Sequence, residues 1–331
     1  MNITMAHGGG GKTSAELFDN VFGKYFKNDV LKKMEDAAIL ELDGKVAFST
    51  DSFVVMPLIF KGGDIGKLSV CGTVNDLLMM GAEPKYLTCG FIIEEGLPLA
   101  LLEKIVISMA ETAKAAGVEI VAGDTKVVER KGSDAESGLF INTSGIGAVP
   151  GGRNVSAANL DDGDAVLLSG NLGDHHACIL SERMGIENNI ESDCACLGSV
   201  TKKLFDNSIN VKAMRDVTRG GLGTVLNELA AASGYGIEID EKRIPVAEEV
   251  RGLCDILGLD PLYMGNEGKM VAVVPNDEAE KAITMMRTED NSKNAVIIGR
   301  VKKTKGVVMR TKIGGTRAID MLYGEGLPRI C

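Results

Sequence analysis

Strand-like and helix-like apolar segments alternate along the whole chain, and this alternation limits the possible folds more than any other feature of the sequence. In the first half, strand-like runs cover residues 86–93, 118–128 and 139–149, and helical spacing covers residues 64–80 and 98–116. A doubly wound α/β fold would require long runs typical of a parallel sheet, which neither half contains. The sequence therefore predicts a layered α+β fold.

A turn-rich segment, Pro-Gly-Gly-Arg-Asn at residues 150–154, divides the chain into two such alternations. Proline and glycine interrupt regular structure, so we place a domain boundary here. We predict an N-terminal domain over residues 1–150, a C-terminal domain over residues 151–321 and a mobile tail over residues 322–331.

Turn signals and apolar periodicity place the remaining elements. Residues 37–42 and 45–50 are short strand-like runs on either side of Asp43-Gly44, which is a hairpin signal. The other predicted helices cover residues 13–26, 174–184, 221–233, 248–257 and 277–287, and the other predicted strands cover residues 165–169, 211–217, 236–239, 270–274, 295–301 and 306–311.

Composition and charge exclude several classes of protein. The 331 residues include 36 Lys and Arg against 46 Asp and Glu, a net charge of −10, which argues against nucleic acid or an anionic membrane as a partner. No apolar run reaches the roughly 18 residues of a transmembrane helix, and the N-terminus lacks the pattern of a secretory signal. Seven cysteines without such a signal indicate free thiols in the reducing cytoplasm.

A glycine-rich loop, His7-Gly8-Gly9-Gly10-Gly11-Lys12, lies near the N-terminus. Glycine backbone N–H groups allow a phosphate to approach closely, so we predict that Gly9, Gly10 and Lys12 bind a nucleotide. A P-loop is excluded, because Ala6 stands where that motif requires glycine. The alternative is a flexible arm that leads into the following helix, and the neighbouring His7 is a weak catalytic candidate.

Three aspartates in the first half point to a cation. Asp51 follows the strand-like residues 46–50, Asp124 follows the apolar residues 119–122 within the predicted strand, and Asp76 lies on a helix whose other residues are almost all apolar. A carboxylate in an apolar setting is costly unless it is paired or binds a cation, and Mg²⁺ prefers carboxylates, water and substrate phosphates. Each aspartate alone could be a cap or turn residue, but together they predict a magnesium–nucleotide site.

Two motifs in the second half also combine an acidic residue with glycine. Asp216 ends a predicted strand, and Gly220 and Gly221 open the following helix, whose unpaired N–H groups favour an anion. An ordinary glycine turn capped by Asp216 is the alternative. Glu267, in the sequence Asn-Glu-Gly-Lys at 266–269, could present a carboxylate at a strand end, although a charged turn explains it equally well.

The C-terminal region offers a nucleophile and a basic stretch. Cys331 is the last residue, and a terminal thiol on a glycine-containing tail could act as a carrier, although most terminal cysteines would have no role. Residues 300–317 contain seven basic and no acidic side chains, which indicates a docking stripe or, more simply, solvated strand faces. The spacing of Cys194 and Cys196 does not favour a zinc site.

Taken in order, these motifs resemble those of the HypE family of hydrogenase maturation factors, within the PurM-like superfamily of ATP-dependent enzymes. The resemblance covers the chain from residue 7 to residue 331, and the Pro-Arg-Ile-Cys ending distinguishes this family from its relatives. The matching stretches are residues 7–12, 49–51, 72–84, 122–127, 173–175, 216–228, 266–270 and 328–331.

The resemblance implies a two-domain PurM-like fold that dimerises through its N-terminal mixed α/β domains, with ATP near the interface, and a C-terminal α+β domain. It implies that the carbamoyltransferase HypF loads a carbamoyl group onto Cys331. ATP-dependent dehydration of this S-carboxamide would give a thiocyanate. The cyano group would then pass to iron held by the HypC–HypD complex, for the active site of a [NiFe]-hydrogenase.

The chemistry of such a reaction predicts roles for individual residues. The nucleotide ligands, the first three of which would hold Mg²⁺, are Asp51, Asp76, Asp124, Asn142, Asp216, Gly220 and Gly221. Lys126 would stabilise charge on the amide oxygen, and Glu267, or as a weaker candidate His7, would be the general base. Two alternatives remain: another PurM-like ATP-dependent synthase that acts on a small molecule, or a nucleotide-binding scaffold of the maturation complex.

Overall fold

The computed structural model of this protein describes residues 2–8, 12–33, 37–130 and 138–321. Gly9, Gly10, Cys331 and the predicted tail over residues 322–331 lie outside these ranges. In the described part of the chain, no helix is both long and apolar enough to cross a lipid bilayer.

The first half folds around one sheet, in the strand order β1-β6-β4-β5. Its helices are α1 (Lys12–Leu17), a π-helical turn (Phe18–Phe22), α2 (Gly23–Tyr25), α3 (Ile65–Met79) and α4 (Leu99–Ala116), and its strands are β1 (Lys45–Phe53), β2 (Ile59–Phe60), β3 (Gly63–Asp64), β4 (Glu83–Glu94), β5 (Glu119–Val128) and β6 (Leu139–Val149). β6 is antiparallel to both β1 and β4, whereas β4 and β5 run parallel.

One face of this sheet is covered by α3 and the other is open. Along β1 the side chains alternate, so that Phe53 is 2% exposed while Phe48 is 72% exposed. α3 is buried along most of its length, since it packs on the sheet with one side and on α4 with another. Asp64 begins α3 by accepting a hydrogen bond from the Lys67 backbone N–H at 2.9 Å.

The second half folds around another sheet, in the strand order β13-β12-β9-β11-β7-β10-β8. Its strands are β7 (Ala165–Leu168), β8 (Ala213–Asp216), β9 (Gly236–Asp240), β10 (Met270–Val274), β11 (Val296–Lys302), β12 (Val307–Arg310) and β13 (Thr316–Ile319), and its helices are α5 (Asp174–Met184), α6 (Gly198–Asp206), α7 (Gly221–Ser233), α8 (Glu248–Leu257) and α9 (Ala279–Met286). β9 and β12 pair in parallel, and the other pairs are antiparallel.

The predicted α+β class is confirmed, with mixed sheets in both halves. The predicted hairpin of residues 37–42 with 45–50 is wrong: among the described residues 37–44 no strand forms, and β1 pairs instead with β6. The long partner in β6 offers nine matched positions, which a short hairpin cannot provide. Helix α6 and strand β13 were not predicted. The domain boundary at residue 150 stays a prediction.

Helix α3 joins the two halves. The Asn75 side chain donates to the Ala195 carbonyl oxygen at 3.0 Å and accepts from the Leu197 backbone N–H at 2.8 Å, and Asn75 is 3% exposed. α3 also contacts β8 directly. These contacts place Asp76, the next residue of α3, at the boundary between the two sheets.

Candidate active site

Carboxylates from both halves of the chain meet at this boundary. Asp51 lies near the end of β1 and Asp76 on α3, whereas Asp216 ends β8 and Glu267 lies in the loop before β10. Burial is the largest cause that raises the pKa of Asp76, Asp216 and Glu267, and neighbouring charges add to it: Asp51 acts on Asp76, Asp76 on Asp216, and Asp216 on Glu267. A site that gathers like charges in this way is prepared for a cation or for proton transfer.

Asp76 is held by a neighbouring strand. The Ser49 hydroxyl donates to the Asp76 carboxylate at 2.6 Å, because Ser49 and Asp51 both point from β1 towards α3. Burial raises the pKa of Asp76, while the Ser49 hydrogen bond and Arg215 act in the opposite direction. The Ser49 hydrogen bond therefore orients the Asp76 carboxylate.

Asn142 on β6 supports the backbone of β1 at Asp51. Its side-chain amide donates to the Asp51 carbonyl oxygen and to the Ser52 hydroxyl, each at 2.9 Å. The Asp51 carboxylate accepts from the Ser52 backbone N–H at 2.7 Å, and burial raises the pKa of Asp51. Asn142 therefore has a structural role beside the site, whether or not it also contacts a nucleotide.

Asp216 and the glycines after it form a tight strand-to-helix turn. Gly220 and Gly221 have φ angles of 79° and 62°, and a Cβ on Gly221 would lie 2.6 Å from the Leu262 carbonyl oxygen. α7 begins at Gly221, so its first N–H groups lie beside Asp216 in sequence. Burial, with Asp76 second, raises the pKa of Asp216 to about 7.

Glu267 is 4% exposed, and its pKa is raised well above the ordinary value of 4.5. Burial is the largest cause, followed by the negative charges of Asp193 and Asp216. The preceding Asn266 is fully buried and donates to the Val217 carbonyl oxygen at 3.2 Å, while its side-chain oxygen accepts from the Gly173 backbone N–H at 2.7 Å. The loop is therefore anchored on both sides of the site.

Asp193 is the site residue that the sequence reasoning missed. Its carboxylate accepts from the backbone N–H groups of Glu267 at 3.1 Å and Gly268 at 3.3 Å, and it lies 3.4 Å from the Lys269 ammonium. A Cβ on Gly268 would lie 1.9 Å from the Asp193 carbonyl oxygen, so only glycine fits there. No local pattern could reveal this contact, since Asp193 lies 74 residues before Glu267.

Asp124 and Lys126 lie apart from this cluster in one chain. Both are on β5, three strands from Asp51 across the sheet, which corresponds to roughly 14 Å between backbones. They point to the open face, whereas Asp51 points towards α3. The Lys126 ammonium pairs with the Asp124 carboxylate at 3.2 Å, and both side chains are more than half exposed.

The predicted set of Asp51, Asp76 and Asp124 therefore does not converge on one ion within a chain. Among the described residues, no group of three His, Cys, Asp or Glu side chains is arranged to hold a metal. Mg²⁺ commonly uses one or two carboxylates together with water and substrate phosphates, and Asp51 and Asp76 suit that pattern. The contribution of Asp124 stays a prediction.

His7 and the start of the glycine loop lie against β5. The His7 Nδ1 atom accepts from the Thr4 backbone N–H at 3.0 Å, so this nitrogen is used in a local turn. A Cβ on Gly8 would lie 2.4 Å from the Val127 backbone nitrogen, so a residue with a side chain would not fit at this position. His7 and Gly8 line a cavity of about 370 Å³ together with Asp124 and Lys126. The structure thus separates these residues from Glu267.

Two domain families match the sequence. The N-terminal domain of AIR synthase related proteins matches residues 34–149, and the C-terminal domain of the same proteins matches residues 161–312. The chain is 48% identical to the carbamoyl dehydratase HypE of Rhodobacter capsulatus over 336 residues, which cover 99% of this chain and 98% of that protein.

Solved structures agree with these matches. A structure of the hydrogenase maturation protein HypE in complex with ATP aligns with a TM-score of 0.94 at 45% identity and covers 99% of both chains. A chain of a HypE–HypF complex aligns with a TM-score of 0.81 at 49% identity and covers 92% of this chain and 99% of that one.

Proposed function

Because this chain belongs to the AIR synthase related family and, within it, to the HypE carbamoyl dehydratases, we propose that it dehydrates an S-carboxamide on its own Cys331 to a thiocyanate in an ATP-consuming reaction. The family resemblance drawn from the sequence motifs is thereby confirmed.

The reaction needs a better leaving group than an amide oxygen. Transfer of the γ-phosphoryl group from ATP to that oxygen turns it into a phosphate, which then departs as the C≡N bond closes. Two N–H protons must leave the nitrogen, one to phosphate and one to solvent. The sum is carboxamide plus ATP giving thiocyanate, ADP, hydrogen phosphate and one proton. A positioned base and a site that holds the triphosphate are therefore both required.

Glu267 is the group best suited to remove a proton from nitrogen. Its pKa is raised above the ordinary value of 4.5, so its carboxylate is a stronger base than one in water. Asp193 holds the backbone of Glu267 and of Gly268, which keeps the carboxylate in place without a direct bond to it. This anchored, buried carboxylate beside Asp216 is the observation that carries the proposal.

Asp51 and Asp76 are the groups to hold Mg²⁺ with the nucleotide phosphates. The fit rests on the placement of the two carboxylates: Ser49 orients the Asp76 carboxylate, burial raises the pKa of both groups, and the charge of Asp51 raises that of Asp76 further. Bound Mg²⁺ would offset the negative charge of the transferring phosphoryl group. The N-terminus of α7 at Gly220 and Gly221 would support a phosphate.

The proposed partners are those that the family resemblance implies. HypF is proposed as the source of the carbamoyl group, in keeping with the solved HypE–HypF complex of a relative, and the HypC–HypD complex as the acceptor of the cyano group. The carrier Cys331 would have to reach the cluster of Asp51, Asp76, Asp216 and Glu267.

Intact mass spectrometry tests this function. The full chain is incubated with HypF, carbamoyl phosphate, ATP and Mg²⁺, and its mass is followed with time. We expect a carbamoylated species that then loses the mass of one water in an ATP-dependent step. A carbamoylated species that binds ATP but never loses water would favour the scaffold alternative, and a chain that turns over ATP without any mass gain would favour a small-molecule synthase.

Replacing Asp76 by Asn should weaken Mg·ATP binding about tenfold or more, which corresponds to about 1.4 kcal/mol or more. The amide oxygen can still accept from Ser49, so the fold should be kept, but the charge that attracts the cation is lost. Calorimetric titration with ATP, with and without Mg²⁺, measures the effect. The exposed Asp277→Asn on the second half is the matched control, and equal affinities of the Asp76 variant and wild type would contradict the role.

The open face of the first sheet supports the proposed homodimer. Phe48 is 72% exposed, and Val46 and Ile92 are each 47% exposed on the same face, which is an unusual amount of apolar surface for a sheet in water. Pairing two such faces would also bring Asp124 and Lys126 to the interface, and the family resemblance implies that ATP binds near it.

Replacing Phe48 by Glu should raise the dimer dissociation constant about 30-fold or more, since it puts a charge into an apolar contact worth about 2 kcal/mol or more. Analytical ultracentrifugation over a dilution series measures it. Ile313→Glu, at a position 96% exposed in the second half, should leave the association unchanged. Dimers of equal strength for wild type and Phe48→Glu would show that this face is not the interface.

A further inference from the structure

Cysteine side chains from the two halves of the chain touch beside the site. Cys71 lies on α3, and Cys194 and Cys196 lie in the connection between α5 and α6. The Sγ atoms of Cys71 and Cys196 are hydrogen-bonded at 3.5 Å, a separation about 1.5 Å longer than a disulfide bond. Among the described residues, these cysteines are not part of any group of side chains arranged to hold a metal ion.

A crevice between the two halves leads to this pair. It has a volume of about 870 Å³, and Cys71, Cys196 and Lys67 all line it. Cys196 is partly exposed, whereas Cys71 is 1% exposed and Cys194 is 2% exposed. A small oxidant in the crevice would therefore reach Cys196 first.

The two thiols differ in reactivity. A hydrogen bond with Cys71 lowers the pKa of Cys196 and Lys67 acts in the same direction, while burial opposes both. Contacts with Cys194 and Cys196, together with burial, raise the pKa of Cys71. The thiolate is the reactive species, so Cys196 is the attacking sulfur and Cys71 the resolving one.

We propose that Cys71 and Cys196 are a modification site, an inter-domain dithiol that a hydroperoxide converts to a disulfide. The Cys196 thiolate attacks the hydroperoxide, breaks its O–O bond and becomes a sulfenic acid, and the other oxygen leaves as an alcohol or as water. The Cys71 sulfur then displaces the hydroxyl group from Cys196, and the Cys71 proton leaves with it as water. Two thiols lose two electrons, which reduce the O–O bond.

The bond would tie together the two sides of the candidate active site. Cys71 lies little more than one helical turn before Asp76 on α3, and Cys196 follows Asp193, which holds the loop of Glu267. The neighbouring contacts of Asn75 with Ala195 and Leu197 already hold these segments side by side, so the cross-link requires little movement of the backbone.

Peptide mapping tests the proposal on the full chain carrying Cys331→Ala, which removes the terminal thiol as a competitor. The protein is treated with hydrogen peroxide in stoichiometric amounts, alkylated, and digested without reductant. We expect one cross-linked peptide that joins Cys71 to Cys196, the loss of two alkylatable thiols per chain, and recovery of both on addition of a dithiol reductant.

Single substitutions identify the pair. Cys196→Ser should abolish the cross-link, and Cys194→Ser, the matched change two residues earlier, should leave it intact. Cys71→Ser should leave Cys196 as a sulfenic acid that a dimedone-type probe captures; if that variant does not fold, the Cys196 and Cys194 variants decide. A disulfide between Cys71 and Cys194 that survives Cys196→Ser, or a full set of unoxidised thiols after treatment, would overturn the proposal.

Discussion

Replacing Cys331 by Ala should abolish both the mass gain with HypF and the later loss of water, while ATP binding remains within about twofold of wild type. The reason is chemical: without the sulfur there is no atom to carry the carbamoyl group, whereas the carboxylates of the nucleotide site are unaffected. Intact mass spectrometry measures the mass changes, and calorimetric titration with Mg·ATP measures the affinity for the nucleotide.

A second cysteine provides the matched control. Cys196 is the most exposed of the described cysteines, so Cys196→Ser tests whether any accessible thiol can be loaded. That variant should gain the carbamoyl group and lose water as wild type does under reducing conditions. Loading of the Cys331→Ala protein at the wild-type rate would show that the terminal sulfur is not the carrier.

Replacing Glu267 by Gln should stop the reaction at the carboxamide. The tail would still be carbamoylated by HypF, but the loss of water should slow by about 100-fold or more, which is the usual contribution of a general base. Glutamine keeps the shape of the side chain and leaves the Asp193 contacts to the backbone unchanged. Single-turnover mass spectrometry of the loaded chain measures the rate directly.

Stability separates a catalytic role of Glu267 from a structural one. Burial raises the folded-state pKa of Glu267 above its ordinary value of 4.5. The contribution of this group to the free energy of unfolding is therefore full below about pH 4.5 and is lost as the pH rises through the folded-state pKa. The glutamine side chain of the Glu267→Gln variant carries no charge at any pH. The unfolding temperature of this variant should therefore equal or exceed that of wild type at pH 7, and the difference should shrink towards pH 4.

The control for this pair of measurements is Glu228→Gln, an exposed change on α7. This variant should have the same rate of water loss and the same unfolding temperature as wild type. If Glu267→Gln dehydrates the tail at the wild-type rate, another group is the base; if it unfolds much earlier at pH 7, Glu267 is a structural residue.

The sequence was sufficient where the information is local. Apolar periodicity located most helices and strands, because side-chain spacing repeats within a few residues. It also singled out Asp51, Asp76, Asp216 and Glu267, since acidic residues beside small residues at the ends of strands, or within an apolar helix, stand out without any knowledge of contacts. The HypE resemblance extended along the chain because the motifs occur in one order.

The tertiary structure decided everything that depends on which distant segments meet. The pairing of β1 with β6 replaced a local hairpin, since a long partner satisfies more backbone hydrogen bonds than a short one. Sheet order and side-chain alternation separated Asp124 from Asp51, although the sequence offers the same signal for both. Asp193 contacts the loop of Glu267, and Cys71 contacts Cys196, only because distant segments of the chain pack together. A pattern within a segment reports the segment's own geometry, but an electrostatic cluster exists only after folding brings its members together.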